Sequence, residues 1–321
     1  MKVIKWLIGG IGLASMGAFG GAAYLFQRTI KREDNVHKST MPEDVLEIWE
    51  EHISIIKREV AWLNKQNTEA LQIKTKDQLI LQGTWLEAAK ESKKVILLLH
   101  GYRSNGIGNF APMAHFYHDL GYHVLLVDHR GHGKSEGEYV GFSVLDHKDC
   151  KGWIKRIIKK LGEDVQIWVH GISMGGATTV ALCTEKLPGQ VKGLIADCAF
   201  TSPWEVFEHV LNTEYHLPAF PTLHLADAIC KRQAGYGFKD VDNKERVSHS
   251  KLPILFIHGD QDDFVPTWMS QKMYELCTSN KRLVIIKNAG HGESYFRDTE
   301  TYQKAVKIFL NEIDEVVGEE N

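Results

Sequence analysis

The sequence predicts an α/β domain built on a mostly parallel, doubly wound sheet, and three observations predict it. Six short runs (Val95 to Leu99, Val124 to Val127, Val165 to Val169, Val191 to Ala196, Ile254 to Ile257 and Leu283 to Ile286) are nearly continuous in apolar residues, as strands buried on both faces are. Segments with helical character separate them, at Ala111 to Leu120, Val144 to Leu161, Gly175 to Lys186, Thr267 to Cys277 and Thr299 to Val317. Alternation of this kind calls for crossover connections that lay parallel strands side by side with helices on both faces.

Taken from the amino terminus, the first element is Trp6 to Phe26, a run without a charged residue, flanked by Lys2 and Lys5 and then by Arg28, Lys31 and Arg32. At 1.5 Å per residue it is about 31 Å long as a helix, matching the hydrocarbon thickness of a bilayer. A single-pass N-terminal transmembrane anchor over residues 1–32 is therefore expected, with the cell membrane as location and the membrane face left open. A cleaved signal peptide or a buried helix would use the same residues, but the run exceeds a secretory core of about 7 to 15 residues.

Residues 33–68 form an amphipathic linker: Val45, Trp49, Ile53, Ile56, Val60 and Leu63 recur at spacings of three and four after the start signals Ser39, Thr40 and Pro42. The domain proper is expected over 69–321. It opens with a hairpin, Leu71 to Lys74 and Leu79 to Leu86, turning at Thr75-Lys76-Asp77. One stretch, about 202–250, is too long for a loop and carries Trp204, Phe207, Tyr215, Phe220, Tyr236 and Phe238, so a small helical insertion over the sheet is expected.

Composition narrows the function. With 38 Lys plus Arg against 41 Asp plus Glu the chain has no basic footprint for nucleic acid. The five cysteines form neither CxxC pairs nor zinc spacings, which argues against a disulfide scaffold or structural zinc. His115 with His118, or His129 with His132, could be proposed as metal ligands, but no HExxH motif accompanies either pair and no carboxylate partner is expected to complete a site. No glycine-rich phosphate loop suggests a cofactor, and none is expected.

The chemistry concentrates in Gly171-Ile172-Ser173-Met174-Gly175, a GxSxG sequence between a strand and a helix. A serine hydroxyl is a poor nucleophile until a base takes its proton, and flanking glycines permit the strained turn that holds it clear of the sheet. The base needs an acid to fix its tautomer. His291, between glycines on the loop after the last strand, lies at the same sheet edge as Ser173, and the loop after the preceding strand supplies Asp260, Asp262 and Asp263.

These residues in this order resemble the α/β-hydrolase family of serine hydrolases, over roughly Leu79 to Leu310. The resemblance implies the α/β-hydrolase fold with the 202–250 insertion as a cap. It places the family's HG-x-x-D-x-x-V-P pattern on His258, Gly259, Asp262, Val265 and Pro266, making Asp262 the acid, with Asp197 in reserve after the strand Val191 to Ala196. It implies an oxyanion hole from the backbone N–H groups of Tyr102 and Met174. Asp128 to Ser135 resembles the family's D-x-R-G-x-G-x-S turn, in which Arg130 is structural. The anchor, linker helix and Ala196 to Phe200 stretch look most like membrane-anchored Gram-positive members of the serine aminopeptidase class.

The expected activity is cleavage of an ester or thioester, carboxylesterase- or lipase-like, through Ser173, His291 and Asp262. The partner is a small-molecule acyl substrate; oligomeric state is not legible. The same triad would serve a serine peptidase, an aminopeptidase or an acyltransferase, although 202–250 shows no acidic cluster for an α-amino group. A tethered binding protein that keeps the fold without turnover is the reading of a different class.

Overall fold

The apolar runs meet in the order their hydrophobicity demands. The computed structural model describes residues 19–32 and 43–319. Strands β1 (Thr68–Lys74), β2 (Ile80–Leu86), β3 (Lys94–Leu99), β4 (His123–Val127), β5 (Gln166–Ile172), β6 (Val191–Asp197), β7 (Ile254–Gly259) and β8 (Lys281–Ile286) form one sheet in the order β1-β2-β4-β3-β5-β6-β7-β8. β1 and β2 are antiparallel, β2 pairs antiparallel with β4, and every later pairing is parallel.

Because side chains alternate along a strand, each central run feeds two cores. Val95, Leu97 and Leu99 pack on one face with Cys150, Trp153, Ile154 and Ile157 of α4 (Asp146–Leu161) and Met273 of α9 (Trp268–Leu276). Ile96 and Leu98 pack on the other with α3 (Gly106–Asp119) and α10 (Thr299–Glu319). Helix α5 (Met174–Ala181) follows β5 directly. α3 begins five residues before the expected start: Asn105 caps it by accepting the Gly108 N–H at 2.8 Å, and Pro112 is carried inside the helix. Its glycine- and proline-bearing first turns read as loop in the sequence.

Residues 202–250 contain α6 (Pro203–Thr213), α7 (Thr222–Gln233) and α8 (Asn243–Val247). Of the six aromatics there, Tyr236 and Phe238 are core, Trp204 and Phe207 half-buried, and Tyr215 and Phe220 exposed. Helix α2 (Glu43–Leu63) lies against α3, burying Leu63.

Of the expected membrane segment, residues 6–18 lie outside the described residues. Residues 19–29 form helix α1, whose Ala22 and Phe26 are buried, with Ile30 just after it, in one cluster with Val140, Leu223 and Ala226. Among the described residues no helix is long and apolar enough to cross a membrane.

Candidate active site

At the junction of β5 and α5 the chain must reverse within a few residues. Ser173 takes φ 56° and ψ −116°, a left-handed conformation that costs energy for any side-chain-bearing residue. The flanking glycines are sterically obligatory: a Cβ on Gly171 would overlap the Gly175 carbonyl, and one on Gly175 would overlap the Leu99 carbonyl of β3. The Ser173 N–H donates to the Asp197 carbonyl at 2.8 Å, tying the turn to β6.

His291 arrives from the loop after β8. Its Nε2 lies 2.8 Å from Ser173 Oγ and its Nδ1 2.8 Å from Asp262 Oδ2. Asp262 is 4% exposed, and its other oxygen accepts the N–H groups of Phe264 (3.1 Å) and Val265 (2.8 Å). Burial alone would raise its pKa; electrostatic attraction to the His291 ring and hydrogen bonds from His258 and His291 outweigh that and hold it well below the usual carboxylate range. An ionised Asp262 can only accept, so Nδ1 of His291 carries the proton and Nε2 is left to receive one from Ser173. Asp260 instead accepts the Asn288 N–H at 2.6 Å, and the Asp263 carbonyl accepts from His209 of α6.

Asp197, the reserve acid, is fully buried and accepts from the Tyr302 hydroxyl at 3.0 Å, which also meets His170 at 2.9 Å. Burial pushes its pKa up to about 6. The side chain hydrogen-bonded to His291 Nδ1 is that of Asp262.

The loop His100-Gly101-Tyr102 runs beside the nucleophile: a Cβ on Gly101 would stand 3.4 Å from Ser173 Cβ. Asn109 of α3 accepts the Gly101 N–H at 2.7 Å. His100 Nε2 accepts the His129 N–H at 3.0 Å, which leaves Nδ1 to donate to the Gly101 carbonyl at 2.6 Å. His132 holds the next residue, accepting the Arg103 N–H at 3.1 Å. Burial pushes His129 and His132 down to about 3, so these rings are neutral. Met174, the first residue of α5, has an N–H without an intrahelical partner.

Beneath this loop, Asp128 accepts the N–H groups of Gly106 (2.9 Å) and Lys134 (2.8 Å). Arg130 is taken up by Asp149 (2.7 Å twice) and Asp77 (2.8 and 3.2 Å), so both residues brace the turn. The histidine pairs weighed as ligands do meet carboxylates, contrary to expectation. His115 Nδ1 meets Glu59 Oε2 at 2.7 Å and its ring stacks on Trp62, while His129 Nδ1 lies 3.6 Å from Asp146.

Two supporting residues escaped the sequence reading. His258 was visible only as part of a pattern; its Nε2 reaches Asp262 at 3.1 Å and the Val265 carbonyl at 2.8 Å, bracing the acid. Glu293, two residues beyond His291 and 2% exposed, accepts the Gly290 N–H at 2.7 Å and thereby closes the loop that carries the imidazole. It is held by His52 of α2 at 3.1 Å and by Arg297 at 2.9 Å. Only the glycine-flanked His291 hinted at so tight a loop. Among the described residues two groups bring ligand-type atoms within 4.8 Å of one another, Cys198-Asp262-His291 and Glu51-His52-Glu293. In the first, Asp262 and His291 hold each other, and burial raises the Cys198 thiol pKa; in the second, Glu293 is held by Arg297 and Gly290.

Against this geometry, similarity to known proteins is consistent. Residues 90–235 match the family model described as serine aminopeptidase, S33. The Bacillus subtilis protein YqkD is 31% identical over 228 residues, 71% of this chain and 74% of YqkD. The lysophosphatidylserine lipase ABHD12 of Danio rerio is 31% identical over 206 residues, 62% of this chain; the matched part spans 51% of the lipase's length. Among solved structures, the Pyrococcus furiosus esterase Pf2001 superposes with a TM-score of 0.65 at 23% identity, covering 79% of this chain and 93% of the esterase, a likeness of fold.

Proposed function

Because the chain belongs to the α/β-hydrolase family, and is thus an enzyme of that fold, we propose that it cleaves carboxylic esters or thioesters through an acyl-enzyme on Ser173. The observation that carries this reading is the unbroken relay from Ser173 Oγ through His291 to Asp262, each link 2.8 Å long. Ser173 Oγ attacks the acyl carbon as His291 Nε2 takes its proton. The carbonyl oxygen, now anionic, is received by the N–H groups of Met174 and Tyr102, each such donor contributing on the order of 10² to 10³ in rate. His291 returns the proton to the departing alcohol or thiol, then deprotonates a water that releases the acid and restores Ser173. Asp262 stays ionised throughout and stabilises the imidazolium.

Esters are favoured over peptides by the insertion's chemistry. Phe207 of the insertion packs edge-on against Phe142 and Phe238, ring centroids 4.7 and 4.8 Å apart, and Tyr102 lies 5.0 Å from Phe142; the half-buried Phe207 and Tyr102 offer apolar surface suited to an acyl chain. Three of the seven acids there are engaged elsewhere: Glu205 by Lys244, Asp227 by Lys231, Asp240 by the Gly237 N–H. The name of the ABHD12 relatives points the same way, toward a single-chain amphiphilic ester. The uncharged run of residues 6–26 supports attachment to a membrane through the N-terminus.

The test is turnover by the purified chain of p-nitrophenyl esters from acetate to palmitate beside aminoacyl amides. Ester cleavage that rises with chain length and vanishes in Ser173→Ala is expected. Faster cleavage of the amides, or no ester turnover, overturns the reading. Added alcohol that captures the acyl group would make the enzyme an acyltransferase on the same residues.

A further inference from the structure

Residues 6–27 and residues 215–226 contain no Asp, Glu, Lys or Arg, and the fold brings the described part of the first, from Phe19 on, against the second. A Cβ on Gly21 of α1 would stand 3.8 Å from Thr222 Cγ2 at the start of α7, and Ala22 and Phe26 are buried in the same cluster as Leu223 and Ala226. Large apolar side chains stand outside the contact. Phe19 and Tyr24 of α1 are exposed, as are Tyr215, Leu217 and Phe220 in the turn before α7, Phe220 to 71%.

Large apolar side chains gathered on one side of a protein, free of charge, mark an interaction surface. We propose that this face, α1 together with residues 215–220, lies in the interfacial layer of a lipid bilayer, so that the insertion meets the membrane and the acyl substrate is drawn from it. The occupant follows from the chain itself: residues 6–18, uncharged throughout and preceded by Lys2 and Lys5, lead directly into Phe19. A segment of that composition and the exposed aromatics beside its end suit the same lipid phase, with Tyr and His of the turn at headgroup level. The insertion also carries Phe207, which packs on Phe142 beside Tyr102. The inference rests on the ester reading for its substrate but not for its test.

All five native cysteines are buried, so a Phe220→Cys variant of the full chain can be labelled selectively with an environment-sensitive NBD probe. After reconstitution into phosphatidylcholine–phosphatidylglycerol vesicles, the probe at position 220 is expected to be quenched by nitroxide-bearing lipid and shielded from aqueous iodide. A probe on Lys272→Cys, on the exposed face of α9, is expected to behave in the opposite way. Iodide quenching at 220 equal to that at 272 would overturn the proposal. Shielding from iodide without lipid quenching would overturn it too, assigning the face to a second copy or another protein. In parallel, Leu217→Asp with Phe220→Asp is expected to slow hydrolysis of a vesicle-borne ester about tenfold while leaving p-nitrophenyl acetate turnover unchanged, about the loss of one buried aromatic anchor. An equal rate on vesicles would count against the docking; loss on the soluble ester would count against the ester reading's separation of site from surface.

Discussion

The nucleophile and its base are held in place by different physics. Ser173 is fixed by covalent geometry and backbone sterics: two glycines that no other residue can replace, a strand on each side, and an N–H tied to β6. His291 is fixed by side chains. Its loop is closed by Glu293, which answers to His52 of α2, some 240 positions earlier, and to Arg297; its acid is braced by His258. A rigid turn presents the group that forms the covalent bond, and a network of polar contacts tunes the group that moves protons. The difference teaches which side tolerates change: the turn has no intermediate states, whereas the network can be loosened by degrees.

Breaking the turn should therefore have the largest effect. Gly175→Ala drives a methyl group into the Leu99 carbonyl, and is expected to abolish ester turnover together with the folded state, read as loss of a cooperative thermal transition. Next comes the proton relay. Asp262→Asn keeps the shape but lets the wrong imidazole tautomer form, with an expected fall in kcat on the order of 10⁴, whereas Asp197→Asn should cost less than about tenfold. Comparable losses in the two variants would reassign the acid.

The polar network should yield more gently. Glu293→Ala frees the Gly290 N–H and strands His52, and kcat is expected to fall about tenfold with KM little changed. Glu293→Gln, which still accepts that N–H, should recover most of the rate. If both variants lose stability alike and neither loses kcat, Glu293 merely holds α2 down.

The smallest effect is on the pH dependence of stability. Asp146 is buried against Asp149, and both burial and that charge push it from 3.8 up to about 7. A carboxyl that holds its proton more tightly when folded loses stability as pH rises from about 3.8 toward 7. Asp262 is depressed instead, so its contribution is complete above about 3.8 and is lost only as pH falls below that value. Asp146→Asn is accordingly expected to flatten the decline in Tm between pH 4 and pH 7; an unchanged slope would show that Asp146 does not set it.

The same contrast explains what could be read from the sequence. Backbone-determined features leave local marks: the apolar runs that became β3 to β8, the GxSxG turn, and the glycines around His291. The choice of Asp262 over Asp260 and Asp263 came from resemblance to a family, since three acids within four residues look alike until the loop folds. Glu293 and His52 left no mark, because their meeting depends on how α2 lies across the domain. The start of α3 was missed because Gly106, Gly108 and Pro112 signal a loop locally, while the Asn105 cap and burial of Phe110 and Met113 override that preference. Helix α1 was legible as an apolar run, but not its burial against the insertion.

The central claim is that Ser173, activated by His291, carries the acyl group. It is tested most directly by treating the full chain with a fluorophosphonate probe and mapping the adduct by peptide mass spectrometry. A single adduct on Ser173, suppressed in His291→Ala, is the expected result; an adduct on another residue, or labelling of Ser173 that does not depend on His291, would contradict it.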